Sequence, residues 1–77
     1  MRLKPYSCQQ VIKVLGKLGF QAIRQCGSHI IFKGYYNGAR RTVVVPNHSE
    51  IAVGTIRGIL FQAGITVDEF VELANKT

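Results

Sequence analysis

Carboxylates are missing from the first two-thirds of this chain: no aspartate or glutamate precedes Glu50. Eight lysines and arginines lie before that point, and two basic residues against four acids lie after it. Metal-assisted phosphoryl chemistry needs several carboxylates converging on one place. Here Asp68, Glu69 and Glu72 fall together near the end, leaving Glu50 alone, so a two-metal site is not expected. Cysteine is scarce too. Cys8 and Cys26 fit neither a CxxC metal pair nor a disulfide framework and are expected as small reduced core residues. A zinc site would need about four ligands, and His29, His48 and one distant cysteine do not make such a set. No metal or cofactor is expected. No apolar run approaches the roughly 20 residues of a membrane span, and Met1-Arg2-Leu3-Lys4-Pro5 lacks an apolar signal core. The expectation is a cytoplasmic protein with no membrane partner.

What remains suits a small folded globule. Seventy-seven residues make one domain, 1–77, and a hydrophobic share of 47% excludes a disordered tail. The lopsided charge, net +6, points the first two-thirds of the chain at a polyanion.

Ser7 followed by Gln10 forms a capping box, and Tyr6 with Val11 the flanking staple. Cys8, Val11, Ile12, Leu15 and Leu18 then recur at helical spacing, and Gly19 is placed as a left-handed stop. A first strand is expected over 20–26, where adjacent Ala22 and Ile23 leave the face of Arg24 open. Asn37-Gly38 is a strong hairpin turn between strands over 30–36 and 39–45. In the register that turn dictates, Tyr36 opposes Ala39, Phe32 opposes Val43 and Ile30 opposes Val45 on an apolar face. The other face then carries His29, Ile31, Lys33, Tyr35, Arg40, Thr42 and Val44. A one-residue slip would bury His29 with Lys33, which argues against it. A loop over 47–54 leads to a helix over 55–63, with Ile56, Ile59, Leu60 and Ala63 inward and Gly64 as its stop. Thr66 with Glu69 forms a second capping box for a final helix burying Phe70, Leu73 and Ala74. The order is α-β-β-β-α-α: an α+β fold, a three-stranded antiparallel sheet with helices on one face.

Gly27-Ser28-His29 stands at the mouth of the second strand. Histidine is the side chain that gives and takes protons near neutrality. With His29 opposite Pro46, His48 follows two residues on: either a second imidazole at the same edge, dividing acid and base work, or a loop residue bonded to its own backbone. Ser28 beside His29 lacks an orienting carboxylate, so a hydrolase triad is disfavoured. Acid–base chemistry on a polyanion remains, and RNA suits it because its 2′-hydroxyl is an internal nucleophile. Arg24, Lys33, Arg40 and Arg41 are the nearest cations to phosphate, and Tyr35 or Tyr36 is placed either to stack on an unpaired base or to pack at the hairpin tip.

Leu18-Gly19-Phe20, Gly27-Ser28-His29, Pro46-x-His48, Gly54-Thr55-Ile56-Arg57, Ile59-Leu60, Gln62-Ala63-Gly64-Ile65 and Phe70 together resemble the HicA family of toxins. The resemblance spans nearly the whole chain. It implies a double-stranded-RNA-binding-domain-like fold, ribosome-independent mRNA cleavage and neutralisation by a cognate HicB-type antitoxin, with the family's catalytic histidine at His29. Val53 departs from the pattern, standing where many members carry proline before Gly-Thr. A non-catalytic RNA-binding module of the same architecture is the competing reading. A protein-binding adaptor would suit the apolar Ile31 and Val44 but leaves the charge asymmetry unexplained.

Overall fold

Capping sets the first helix. In the structure, a computed structural model that describes residues 2–76, the Ser7 hydroxyl accepts from the Gln10 backbone N–H at 3.1 Å, and the Ser7 N–H donates to Gln10 Oε1 at 3.1 Å. Met1 and Thr77, the two ends of the domain expected over 1–77, lie outside the described residues. Helix α1 (Cys8–Lys17) stops at Gly19, whose φ of +93° an L side chain rarely adopts. There the Phe20 N–H donates to Leu15 O at 3.0 Å and the Gly19 N–H to Gly16 O at 3.1 Å, the paired bonds of a Schellman stop. The buried stripe of α1 is Cys8, Val11, Val14 and Leu15. Val14 replaces the expected Ile12 and Leu18, which are half-buried at the margins of the stripe.

Strands β1 (Gln21–Cys26), β2 (His29–Tyr36) and β3 (Ala39–Pro46) form one antiparallel sheet in the order β1-β2-β3. Asn37 and Gly38 both have positive φ, +50° and +79°, as a primed two-residue turn requires. The β2–β3 pairing is the one that turn predicts, from Tyr36 opposite Ala39 down to His29 opposite Pro46. Between β1 and β2 the register slips at Ile23, a bulge that lets Ala22 oppose Phe32 while Arg24 opposes Ile31. That extra residue explains why the pattern of β1 did not alternate.

Helix α2 (Val53–Ala63) begins two residues before the expected start at Thr55. Its cap, Ala52, offers no side-chain hydrogen bond, so the usual N-terminal signal is missing, and the Ile56 N–H to Ala52 O bond opens the helix instead. Ile56, Ile59, Leu60 and Ala63 are its buried face, as their spacing predicts. After Gly64 (φ +77°), Thr66 and Glu69 close the second capping box and start α3 (Val67–Asn75). Phe70, Val71 and Ala74 are buried there, with Leu73 only half-buried.

The helices cover one face of the sheet, where Phe32, Val43 and Val45 are buried. Tyr6 meets Phe70 edge-to-face, 5.0 Å between ring centroids. The expected loop before α2 also contributes to this core. Ile51 is buried and bridges to Tyr6 through reciprocal backbone bonds of 3.3 and 2.7 Å. Among the described residues no helix is long and apolar enough to cross a membrane.

Candidate nucleic-acid interface

The uncovered face of the sheet collects the candidate residues. Gly27 (φ +60°) and Ser28 make a two-residue turn between β1 and β2, with glycine at the first central position as a II′ turn prefers. Gln25 braces it, donating from Nε2 to Gly27 O at 3.2 Å, and the Asn47 N–H donates to Ser28 O at 2.6 Å. His29 therefore starts β2 between two held neighbours, opposite Cys26 on β1 and Pro46 on β3, and is exposed.

The register settles the orientation of Arg24. Opposite Ile31, it shares the open face with His29. Lys33 lies opposite Thr42, and Arg40 opposite Tyr35, on the same face. Arg24, Lys33 and Arg40 are exposed and none has an ion-pair or hydrogen-bond partner among the described residues, while Asp68, Glu69 and Glu72 sit on α3 in the helical layer. The open face is thus a field of uncompensated positive charge around one imidazole.

Arg41 does not join this group. It lies opposite Gly34 on the inner side, donating from Nε to Tyr36 O at 2.8 Å and from a terminal nitrogen to Asn37 O at 3.5 Å. Its guanidinium packs against Gly64 so closely that a side chain there would collide with it. The two tyrosines part in the same way. Tyr36 turns inward, its hydroxyl donating to Glu69 Oε2 at 3.0 Å and its ring 6.5 Å from that of Phe20. Tyr35 stands 67% exposed on the open face.

At His48 the chain folds back on itself. Its N–H donates to Pro46 O at 2.9 Å and its carbonyl accepts the Cys8 N–H at 3.3 Å, while the residue is exposed. Among the described residues no three His, Cys, Asp or Glu side chains converge as metal ligands would. Cys8 is buried, and burial pushes its thiol above the ordinary range. Cys26 is exposed, contrary to its expected place in the core. Its alternation with buried neighbours was unreadable because β1 has no buried residue at all.

A helix-backed antiparallel sheet whose free face is basic and carries an exposed histidine defines the class of this domain. A family profile described as the HicA toxin of bacterial toxin-antitoxin matches residues 8–65, well over half the chain. The chain belongs to that family, and is a toxin of the kind that pairs with an antitoxin. No curated protein gives a significant match.

Proposed function

We propose that this toxin is a ribonuclease of mRNA in the cytoplasm, with His29 moving the proton and Arg24, Lys33 and Arg40 holding phosphate. The observation that carries the reading is the strand register, which puts an exposed imidazole on the same face of the sheet as three unpaired cations, with Arg24 the nearest of them along the strands. A base removes the proton from a ribose 2′-hydroxyl. The 2′-oxygen forms a bond to phosphorus as the bond from phosphorus to the 5′-oxygen breaks, and the departing oxygen takes up a proton. The products are a 2′,3′-cyclic phosphate and a 5′-hydroxyl. His29 serves one of the two proton transfers, Arg24 stabilises the charge gathering on the phosphorane, and Lys33 and Arg40 hold phosphates further along the strand. Ser28 precedes His29 and His48 follows its partner Pro46 by two residues; both position substrate, with His48 the candidate for the second proton transfer. Arg41 holds the hairpin and is left out of the RNA contacts.

The chemistry is written without a metal: Asp68, Glu69 and Glu72 lie on α3, Glu50 stands alone before α2, and among the described residues no three possible ligands converge. The cognate antitoxin, of the HicB type, occupies the same open face, where a basic surface with half-buried Ile31 and exposed Val44 suits an acidic partner.

The test compares wild-type protein with His29→Ala on one labelled RNA, in EDTA, with end-group analysis. Cleavage should persist in EDTA, leave cyclic phosphate ends and fall at least ~100-fold in the variant, the lower end for a positioned acid–base group. Unchanged cleavage by His29→Ala removes the histidine from the mechanism. Salt-sensitive binding with no product favours the RNA-binding module instead.

A further inference from the structure

Of the two adjacent tyrosines only Tyr35 has a free ring, since Tyr36 is bonded to Glu69 and packed near Phe20. Arg40 stands directly across the strands from Tyr35, close enough for the two side chains to meet. Around them lies a surface cavity of ≈ 360 Å³ lined by Lys33, Gly34, Tyr35, Arg40, Arg41 and Thr42. The backbone beside Tyr35 is closely packed: a Cβ on Gly34 would come within 2.8 Å of the ring of Phe20, the residue after the α1 stop. The ring and its two cations are offered to solvent on that packed backbone.

We propose that Tyr35, with Arg40 and Lys33, is a stacking subsite for one unpaired base of the RNA, displaced from the scissile phosphate by the length of β2. This rests on the ribonuclease reading above. Tyr35 lies six positions beyond His29 on one strand, a distance of about 20 Å at ~3.3 Å per residue. A single strand stacked at ~3.4 Å per nucleotide covers that span in about six nucleotides, and an extended one in fewer. A duplex keeps its base faces inside the stack, so the subsite selects RNA that is single-stranded at that position. Tyr35 supplies the π-face, Arg40 and Lys33 hold the flanking phosphates, and specificity arises several nucleotides away from the chemistry.

The experiment has a binding arm and a cleavage arm. In the His29→Ala background, single-stranded oligoribonucleotides carrying one 2-aminopurine are titrated against protein with Tyr35, Tyr35→Phe or Tyr35→Ala. Quenching and affinity should survive in Tyr35→Phe, while Tyr35→Ala should lose the quench and bind about tenfold or more weakly, with an unchanged Tm. Equal quenching and affinity in Tyr35→Ala overturns the subsite and leaves the ribonuclease reading standing. In the cleavage arm, wild-type protein is given an RNA with one abasic residue walked outward from the cut. A single sensitive position, about three to six nucleotides away and absent in Tyr35→Ala, is the expected result. Sensitivity only beside the cut overturns the placement. If wild-type protein cuts nothing yet quenching still depends on Tyr35, the ribonuclease reading fails and the stacking subsite stands.

Discussion

The two outer strands of the sheet lead opposite lives. β3 packs beneath the helices with Val43, Val45 and Pro46 buried, and its free edge is braced where the Val44 N–H donates to Gln62 Oε1 of α2 at 2.9 Å. β1 pairs only with β2, carries a bulge and has all six residues exposed. Stability is therefore concentrated on the β3 side, while β1 serves to hold the Gly27-Ser28 turn and set Arg24 and Cys26 beside His29. A strand that buries little belongs to the low-stability end of a molecule, where binding surfaces are drawn from.

The sharpest way to break that comparison is to truncate one residue in each strand. Val45→Ala removes fully buried methyl groups and should cost about 2 kcal/mol. Ile23→Ala, at a half-exposed bulge, should stay within about 0.5 kcal/mol. Urea midpoints at constant slope measure both. Equal losses would mean that β1 carries as much of the fold as β3.

A smaller effect separates two neighbours at the hairpin end of β3. Arg41 braces the tip through Tyr36 O and Asn37 O, and Asn37 Nδ2 donates on to Gly64 O at 3.2 Å. Arg41→Ala should cost about 1–2 kcal/mol, as for a hydrogen bond from a charged group, and leave the salt dependence of RNA affinity alone. Arg40→Ala should do the reverse, sparing stability while reducing the slope of log affinity against log salt by about one. Thermal melts and salt titrations of the two variants decide this. Exchanged outcomes would put Arg41 on the RNA and Arg40 in the fold.

Turn and cap chemistry made most of this architecture readable. Asn37-Gly38 dictates a register, and the register puts His29, Lys33, Tyr35 and Arg40 on one face without further help. The capping boxes at Ser7 and Thr66 start α1 and α3 for the same reason, since each needs only two residues at fixed spacing. The pattern is silent or misleads where the deciding contact lies far along the chain. The start of α2 carries no polar cap, Ile51 is buried only because Tyr6 pairs with it, and the orientation of Arg24 depends on a bulge. Adjacency to Arg40 in the sequence groups Arg41 with the expected RNA contacts. Period-two alternation places it on the inner face, with Val43 and Val45, and the bonds that hold it there come from the turn and from Gly64.

The least effect expected concerns the tie between the hairpin and α3. The Thr66 backbone N–H, then the Tyr36 hydroxyl and the Thr66 hydroxyl, donate to Glu69 and hold its carboxyl below the ordinary value near 4.5. A carboxyl whose folded pKa is lowered stabilises the protein above its unfolded pKa, and that contribution drains away as pH falls through the folded one. Tyr36 runs the other way. The bond to Glu69 first, and burial second, raise its hydroxyl above 10.0, so its contribution is complete below that pH and is lost as pH rises through the folded pKa. In Glu69→Gln the capping bonds can persist but the charge cannot. The urea midpoint of the wild type should therefore exceed that of Glu69→Gln at pH 6, and the gap should narrow as pH falls through the lowered folded pKa and the carboxylate takes up its proton. Parallel curves across that window would show that the charge on Glu69 adds nothing to the link between the sheet and its last helix, leaving Arg41 and Asn37 to hold the hairpin end by themselves.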